Sequence, residues 1–91
     1  IEYAAIKSGV ISISKWLAKF YKNQNIRINC ISPGGILDSQ PQTFVKKYRE
    51  SCTNIGLLNS MDLSSIIIFL LKPDSFAING QNIIIDDGWT L

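Results

Sequence analysis

The sequence predicts an α/β fold built on a parallel sheet, with elements in the order helix, strand, helix, helix, strand. Three observations carry this expectation: helical apolar spacing near the amino end, an alternating strand after it, and a continuous apolar strand-like run close to the carboxyl end. Parallel strands need a crossover between them, and two intervening helical segments supply one.

From Tyr3 to about Tyr21, residues Ile6, Val10, Ile13, Leu17 and Phe20 recur at steps of four and three, which marks one face of a helix. Lys15, Lys19 and Lys22 fall on the opposite side and read as a solvated face. Asn23-Gln24-Asn25 is a polar break. Residues Ile26 to Ser32 then alternate apolar and polar side chains, with β-branched enrichment, as a half-buried strand does. Pro33-Gly34-Gly35 should stop this strand, because proline lacks a ladder donor and glycine reaches backbone angles closed to other residues.

A polar, weakly amphipathic helix is expected after Gln40-Pro41 to about Ser51, with Phe44, Val45 and Tyr48 on neighbouring positions. A loop through Gly56 leads to Ser60 or Asp62 as a cap, and Leu63 to Leu71 form a strongly apolar helix ended by Lys72-Pro73. Ile78 to Gln81 reads as a turn, and Asn82 to Asp86 as a short strand covered on both faces.

Composition narrows the function classes. The chain has 91 residues, 46% hydrophobic and 18% charged, which fits one small globular domain or a piece of one. Its nine basic and seven acidic residues are scattered, without the dense basic run of a nucleic-acid footprint. The longest apolar stretch, around Ile66 to Leu71, is far short of the roughly 18 residues that cross a bilayer. Two cysteines and no histidine offer neither a disulfide framework nor a zinc ligand set, so Cys30 and Cys52 read as reduced cytosolic thiols. The opening residues show no initiator Met and no basic leader, as in a chain entered part-way.

Tyr3 and Lys7 stand four residues apart on the first helix, hence one turn apart on the same surface. A phenol that ordinarily titrates near 10 needs about 4 kcal/mol of help to exchange a proton near neutrality. An ammonium about 4 Å away, at an effective dielectric near 20, supplies ~4 kcal/mol. The pair alone is a weak signal, since lysine is common here. Its weight comes from the segments downstream of it and their order: Ile26-Arg27-Ile28-Asn29, Pro33-Gly34-Gly35-Ile36, Phe69-Leu70, Gly80-Gln81 and Asp86-Asp87-Gly88-Trp89.

Together these segments resemble the short-chain dehydrogenase/reductases. Tyr3-Ala4-Ala5-Ile6-Lys7 is similar to the family's Tyr-x-x-x-Lys motif, Ile26-Arg27-Ile28-Asn29 to its Ile-Arg-Val-Asn strand, and Pro33-Gly34 to its Pro-Gly turn. The resemblance covers nearly the whole chain. It implies the C-terminal segment of a Rossmann-like parallel-sheet fold, so that residues 1–91 would be a single partial domain. It also implies NAD or NADP as cofactor and hydride transfer between nicotinamide and a carbonyl or hydroxyl substrate.

In that reading Tyr3 exchanges a proton with the substrate oxygen, and Lys7 favours the phenolate and bonds the nicotinamide ribose. Pro33, Gly34, Gly35, Ile36 and position 38 line the cofactor, with the Ile36 backbone at the carboxamide. The stretch Pro33 to Pro41 with the Asp-Asp-Gly-Trp-Thr ending resembles a subset linked to nucleotide-sugar and flagellin-glycan biosynthesis in bacteria, which implies a sugar or sugar-nucleotide substrate.

Two residues depart from the pattern. Asp38 stands where the family commonly has Thr, and a carboxylate about 4 Å from a phosphate is repelled by roughly 4 kcal/mol, so Asp38 is expected to point away. Asp87 replaces the first Gly of the usual Asp-Gly-Gly ending, which is harmless only if that position needs no positive φ. The family's Gly-rich phosphate turn, its cofactor-selecting residue and its catalytic Ser belong upstream of Tyr3. The 91 residues by themselves are therefore expected to be inactive and to be partnered, swapped or held within a larger parent. Homo-oligomer contacts through helix 3–21 and the last strand are implied, and an alternative is a non-catalytic module that keeps only those assembly surfaces.

Overall fold

The computed structural model describes residues 1–91. Its elements are α1 (Glu2–Phe20), β1 (Cys30–Pro33), α2 (Gln42–Glu50), a 3-10 turn (Ser60–Leu63) running into α3 (Ser64–Leu71), and β2 (Asn82–Ile85). β1 and β2 pair in parallel, with Cys30 opposite Asn82 and Pro33 opposite Ile85. The expected order and the parallel pairing are both present.

The first strand is shorter than its alternation suggests. Ile26 to Asn29 lie outside the ladder, and side-chain amides share their bonding: the Ile28 N–H donates to Asn79 Oδ1 (2.9 Å) while the Ile28 carbonyl accepts from the Gly80 N–H (2.8 Å), and the Asn29 side chain bonds the Ile78 carbonyl and the Gln81 N–H (2.9 and 3.0 Å). The ladder starts where the Cys30 N–H donates to the Gln81 carbonyl (2.7 Å). At the other end, Pro33 is still in the strand, so the bend falls at Gly34, whose N–H donates to the Ile85 carbonyl (2.8 Å).

α1 meets the sheet beside its apolar stripe and not through it. The face that meets the sheet carries Ile11, Ser14 and Ala18: Ser14 receives the Cys30 thiol (3.1 Å), and Ala18 lies against Gly80. The stripe of Ile6, Val10, Ile13 and Phe20 lies about a third of a turn away and is 52 to 67% exposed. Ser14 and Ala18 let the helix approach the strands, while Ile6, Ile13 and Phe20 look outward, Val10 borders the α1–β1 cleft and Leu17 is half-buried.

The helix that ends the crossover is capped one residue earlier than expected. Asn59 precedes the 3-10 turn, and its N–H donates to the Asp62 carboxylate (2.8 Å), the return half of a capping box. Lys72 is extended ahead of Pro73, as the sequence requires. Beyond α3 the Arg27 guanidinium donates to the carbonyls of Leu70 (2.7 Å), Lys72, Ser75 and Ile78, tying the end of that helix to the turn that follows it. β2 is not covered on both faces: Ile83 and Ile85 are half-buried, but Ile84, on the Cys30 side, is 54% exposed.

Candidate functional site

Tyr3 and Lys7 sit on the first two turns of α1, which begins at Glu2 with an acidic residue in its positive first turn. Ala4 and Ala5 add helix propensity without bulk. Lys7 Nζ lies 5.5 Å from the centre of the Tyr3 ring, so the two side chains converge as their spacing requires. Lys7 also lines a cleft of about 360 Å³ between α1 and β1, together with Ser14, Cys30 and Ser32. Ser32 is shared with a second cleft of about 350 Å³, walled by Pro33, Gly34, Gly35, Tyr48 and Trp89.

The bend itself is fixed from several sides. The Gly35 N–H donates to the Tyr48 hydroxyl (2.7 Å), and the Gly35 carbonyl accepts from the Leu58 N–H (2.8 Å). Leu37 N–H then donates to the Leu58 carbonyl (2.7 Å), which makes Ile36 and Leu58 a parallel bridge. In such a bridge the flanking residues make the bonds, and the Ile36 N–H is engaged by no group of this chain.

Neither Gly34 nor Gly35 has a positive φ, contrary to the backbone-angle reason expected for them. What they need is room. A Cβ on Gly34 would lie 2.7 Å from Asp86 Cβ, and one on Gly35 would lie 3.0 Å from Tyr48 Cζ and closer still to Leu57.

The closing segment holds this arrangement. Asp86 is buried, and its carboxylate accepts the N–H groups of Gly88 and Thr90 (3.0 and 3.1 Å). Trp89, between them, stacks on Tyr48 with centroids 5.7 Å apart and planes 6° apart. Asp87 does adopt the left-handed conformation, φ 53, so its replacement of glycine is not harmless on the terms expected. Its side chain offsets the strain: the carboxylate accepts from the N–H groups of Asn54, Ile55 and Gly56 and from the Thr53 hydroxyl.

The Gly56 N–H, joined by those of Ile55 and Asn54 and the Thr53 hydroxyl, holds the Asp87 carboxyl below its ordinary 3.8 despite some loss of solvent. Loss of solvent, then the Asp87 and Asp86 carboxylates, push the nearby Cys52 thiol above its ordinary 9.0. Cys30 and Cys52 are both free.

Comparison with known proteins decides the family. The family model described as enoyl-(acyl carrier protein) reductase, a short-chain dehydrogenase group, matches residues 2–90. The chain belongs to the short-chain dehydrogenase/reductase family. It is 43% identical over 91 residues to post-translational flagellin modification protein A of Campylobacter coli, covering all of this chain and 36% of that protein. It superposes on a short-chain dehydrogenase of Leptospira borgpetersenii with bound NAD+ at a TM-score of 0.90 and 38% identity, covering 98% of this chain and 35% of that one. A Burkholderia cenocepacia short-chain dehydrogenase in complex with NADP matches at 0.85 and 25% identity, over 98% and 38%. The chain thus spans just over a third of the length of the relatives it matches.

Of the dehydrogenase/reductase motif residues, the structure brings Lys7 to the cleft that adjoins the Pro33-Gly34-Gly35 wall, with Tyr3 beside Lys7 and 75% exposed. Ile36 and Asp38 line neither cleft. Asp38 sits in an exposed turn where its N–H donates to Gln40 Oε1 (2.6 Å), while Gln40 Nε2 donates to the Ile36 carbonyl (2.9 Å). The sequence marked Asp86 only as part of the Asp-Asp-Gly-Trp ending, Asp87 as a departure from it, and Tyr48 only as a helix position, without their holding roles. The Tyr48, Asp86 and Asp87 side chains act on segments 13, 2 to 4 and 31 to 34 positions away.

Proposed function

We propose that this chain carries the proton-transfer pair and the nicotinamide-side bend of an NAD- or NADP-dependent oxidoreductase. The observation that carries the reading is the convergence of Tyr3 and Lys7 beside a cleft that shares Ser32 with the glycine bend. The donors present fit such a cofactor: an ammonium at Lys7 suits ribose hydroxyls, and the unengaged Ile36 N–H suits a carboxamide oxygen. When bound, the nicotinamide supplies or accepts the hydride at the substrate carbon.

Tyr3 holds the proton that balances that transfer, giving it to a carbonyl oxygen in reduction or taking it from a hydroxyl in oxidation. Lys7 stabilises the phenolate left behind. In this reading one ammonium, 5.5 Å from the Tyr3 ring centre, serves both the phenol and the ribose.

The resemblance to flagellin modification protein A supports a sugar or sugar-nucleotide substrate. Unpaired thiols support a cytoplasmic setting. The outward stripe of α1 supports a homo-oligomer joined through that helix and the β2 edge. In the protein purified at its natural length, Tyr3→Phe should lower turnover by about 10²-fold or more while NAD(P)H affinity stays within twofold, roughly the scatter of context-dependent effects. Lys7→Ala should weaken both. Turnover retained in Tyr3→Phe would remove the proton-transfer assignment. If the protein instead serves only as an assembly module, neither substitution changes anything measured with nucleotide.

A further inference from the structure

Tyr48 is the polar link between α2 and the glycine bend: its hydroxyl receives the Gly35 N–H at 2.7 Å, one residue before the unengaged Ile36 N–H. We propose that Tyr48 is a positioning residue that sets the Gly35–Ile36 backbone at the nicotinamide end of the site, a role that rests on the oxidoreductase reading above.

The ring cannot retreat from the bend. Trp89 stacks on its far face, and Trp89 is fixed by its own N–H bond to the Asp86 carbonyl (3.1 Å) and by the buried Asp86 carboxylate on both neighbours. On the near side, a Cβ at Gly35 would meet Tyr48 Cζ at 3.0 Å and its hydroxyl at 3.1 Å. The bend is therefore pressed between the phenol and the Leu57–Leu58 segment, and the hydroxyl determines the orientation of the Gly34–Gly35 peptide.

No residue of α2 is buried, and its hydrogen bond to the bend is the one made by the Tyr48 hydroxyl. A displacement of that hydroxyl is transmitted to the Gly35 N–H, one residue before Ile36. The chemistry asked of Tyr48 is acceptance only.

Tyr48→Phe keeps the stacked ring and deletes the acceptor. In the protein at its natural length, NADH binding should weaken about fivefold, the factor a single neutral hydrogen bond contributes. ADP-ribose, which lacks the nicotinamide, should bind as before, and amide exchange at Gly35 should accelerate. Equal weakening of both nucleotides would show a general structural role and overturn the positioning role, as would unchanged NADH affinity. If the unsubstituted protein binds neither nucleotide, the oxidoreductase reading falls and this role falls with it. Binding without a Tyr48 effect overturns only the latter.

Discussion

Asp87 combines a backbone cost with a side-chain gain at one residue. A non-glycine residue at φ 53 is strained by about 1 kcal/mol, yet the carboxylate draws in three backbone N–H groups and a hydroxyl from residues 53–56. Its carboxyl titrates below the ordinary 3.8, so the folded state favours the ionised form. A depressed carboxyl contributes stability that is fully present above the unfolded value near 4 and disappears as the pH falls through the lower folded value.

The measurable consequence is a difference between variants. Asp87→Asn should be less stable than wild type at pH 7 in urea unfolding, and the gap should close as the pH falls below 4. Asp87→Gly restores the family's usual residue and relieves the strain, but it should still be less stable at neutral pH because the loop loses its acceptor. A gap that stays constant with pH would show that the carboxylate's charge contributes nothing. At this scale the sequence revealed Tyr3, Lys7 and the Pro33–Ile36 bend, because their spacing is local. Asp87 was legible as an anomaly but not as a clasp, since its partners lie more than thirty positions away.

Elements show the same division between local and distant causes. Helix periodicity located α1 within a residue at each end, because the 3.6-residue repeat is a property of the segment itself. The alternation of residues 26–32 overstated β1, and Asn29 and Asn79 share the bonding there through side-chain bonds that no alternation records. Arg27 shares that segment, and its role comes from α3. A helix end carries partial negative charge, so a guanidinium fork that reaches the Leu70 and Lys72 carbonyls there, and those of Ser75 and Ile78 in the following turn, serves four oxygens at once. Arg27→Ala should lower stability by about 1.5–3 kcal/mol, the range for charged hydrogen bonds, and Arg27→Lys should recover only part because an ammonium lacks the fork. Gly34→Ala should lose about 1–3 kcal/mol from overpacking against Asp86. Wild-type urea midpoints in either variant would remove the corresponding account.

The molecule as a whole exposes more than its mass warrants. Its surface is 7127 Å², about 1,800 Å² beyond the ~5,300 Å² of a compact 10.2 kDa monomer. Its radius of gyration is 15.5 Å where about 12 Å is expected for this length. Only six of the 91 residues are buried, and the outward apolar side chains of α1 and α3 include Ile6, Ile13, Trp16, Ile68 and Leu71. An excess of that size is about twice the ~800 Å² that each partner contributes to a standard protein–protein interface, which accords with an α/β segment whose strands and helices expect further cover. The 91 residues produced alone should therefore lack a cooperative thermal transition at low micromolar concentration and should sediment as concentration-dependent aggregates. Replacing Val10 and Ile13 by Asp should make that peptide more soluble without restoring cooperativity, because charge on an outward face suppresses association and adds no core. A sharp, concentration-independent transition in the unsubstituted peptide would mean that these two strands and three helices are enough by themselves, and that the exposed stripe of α1 needs no partner.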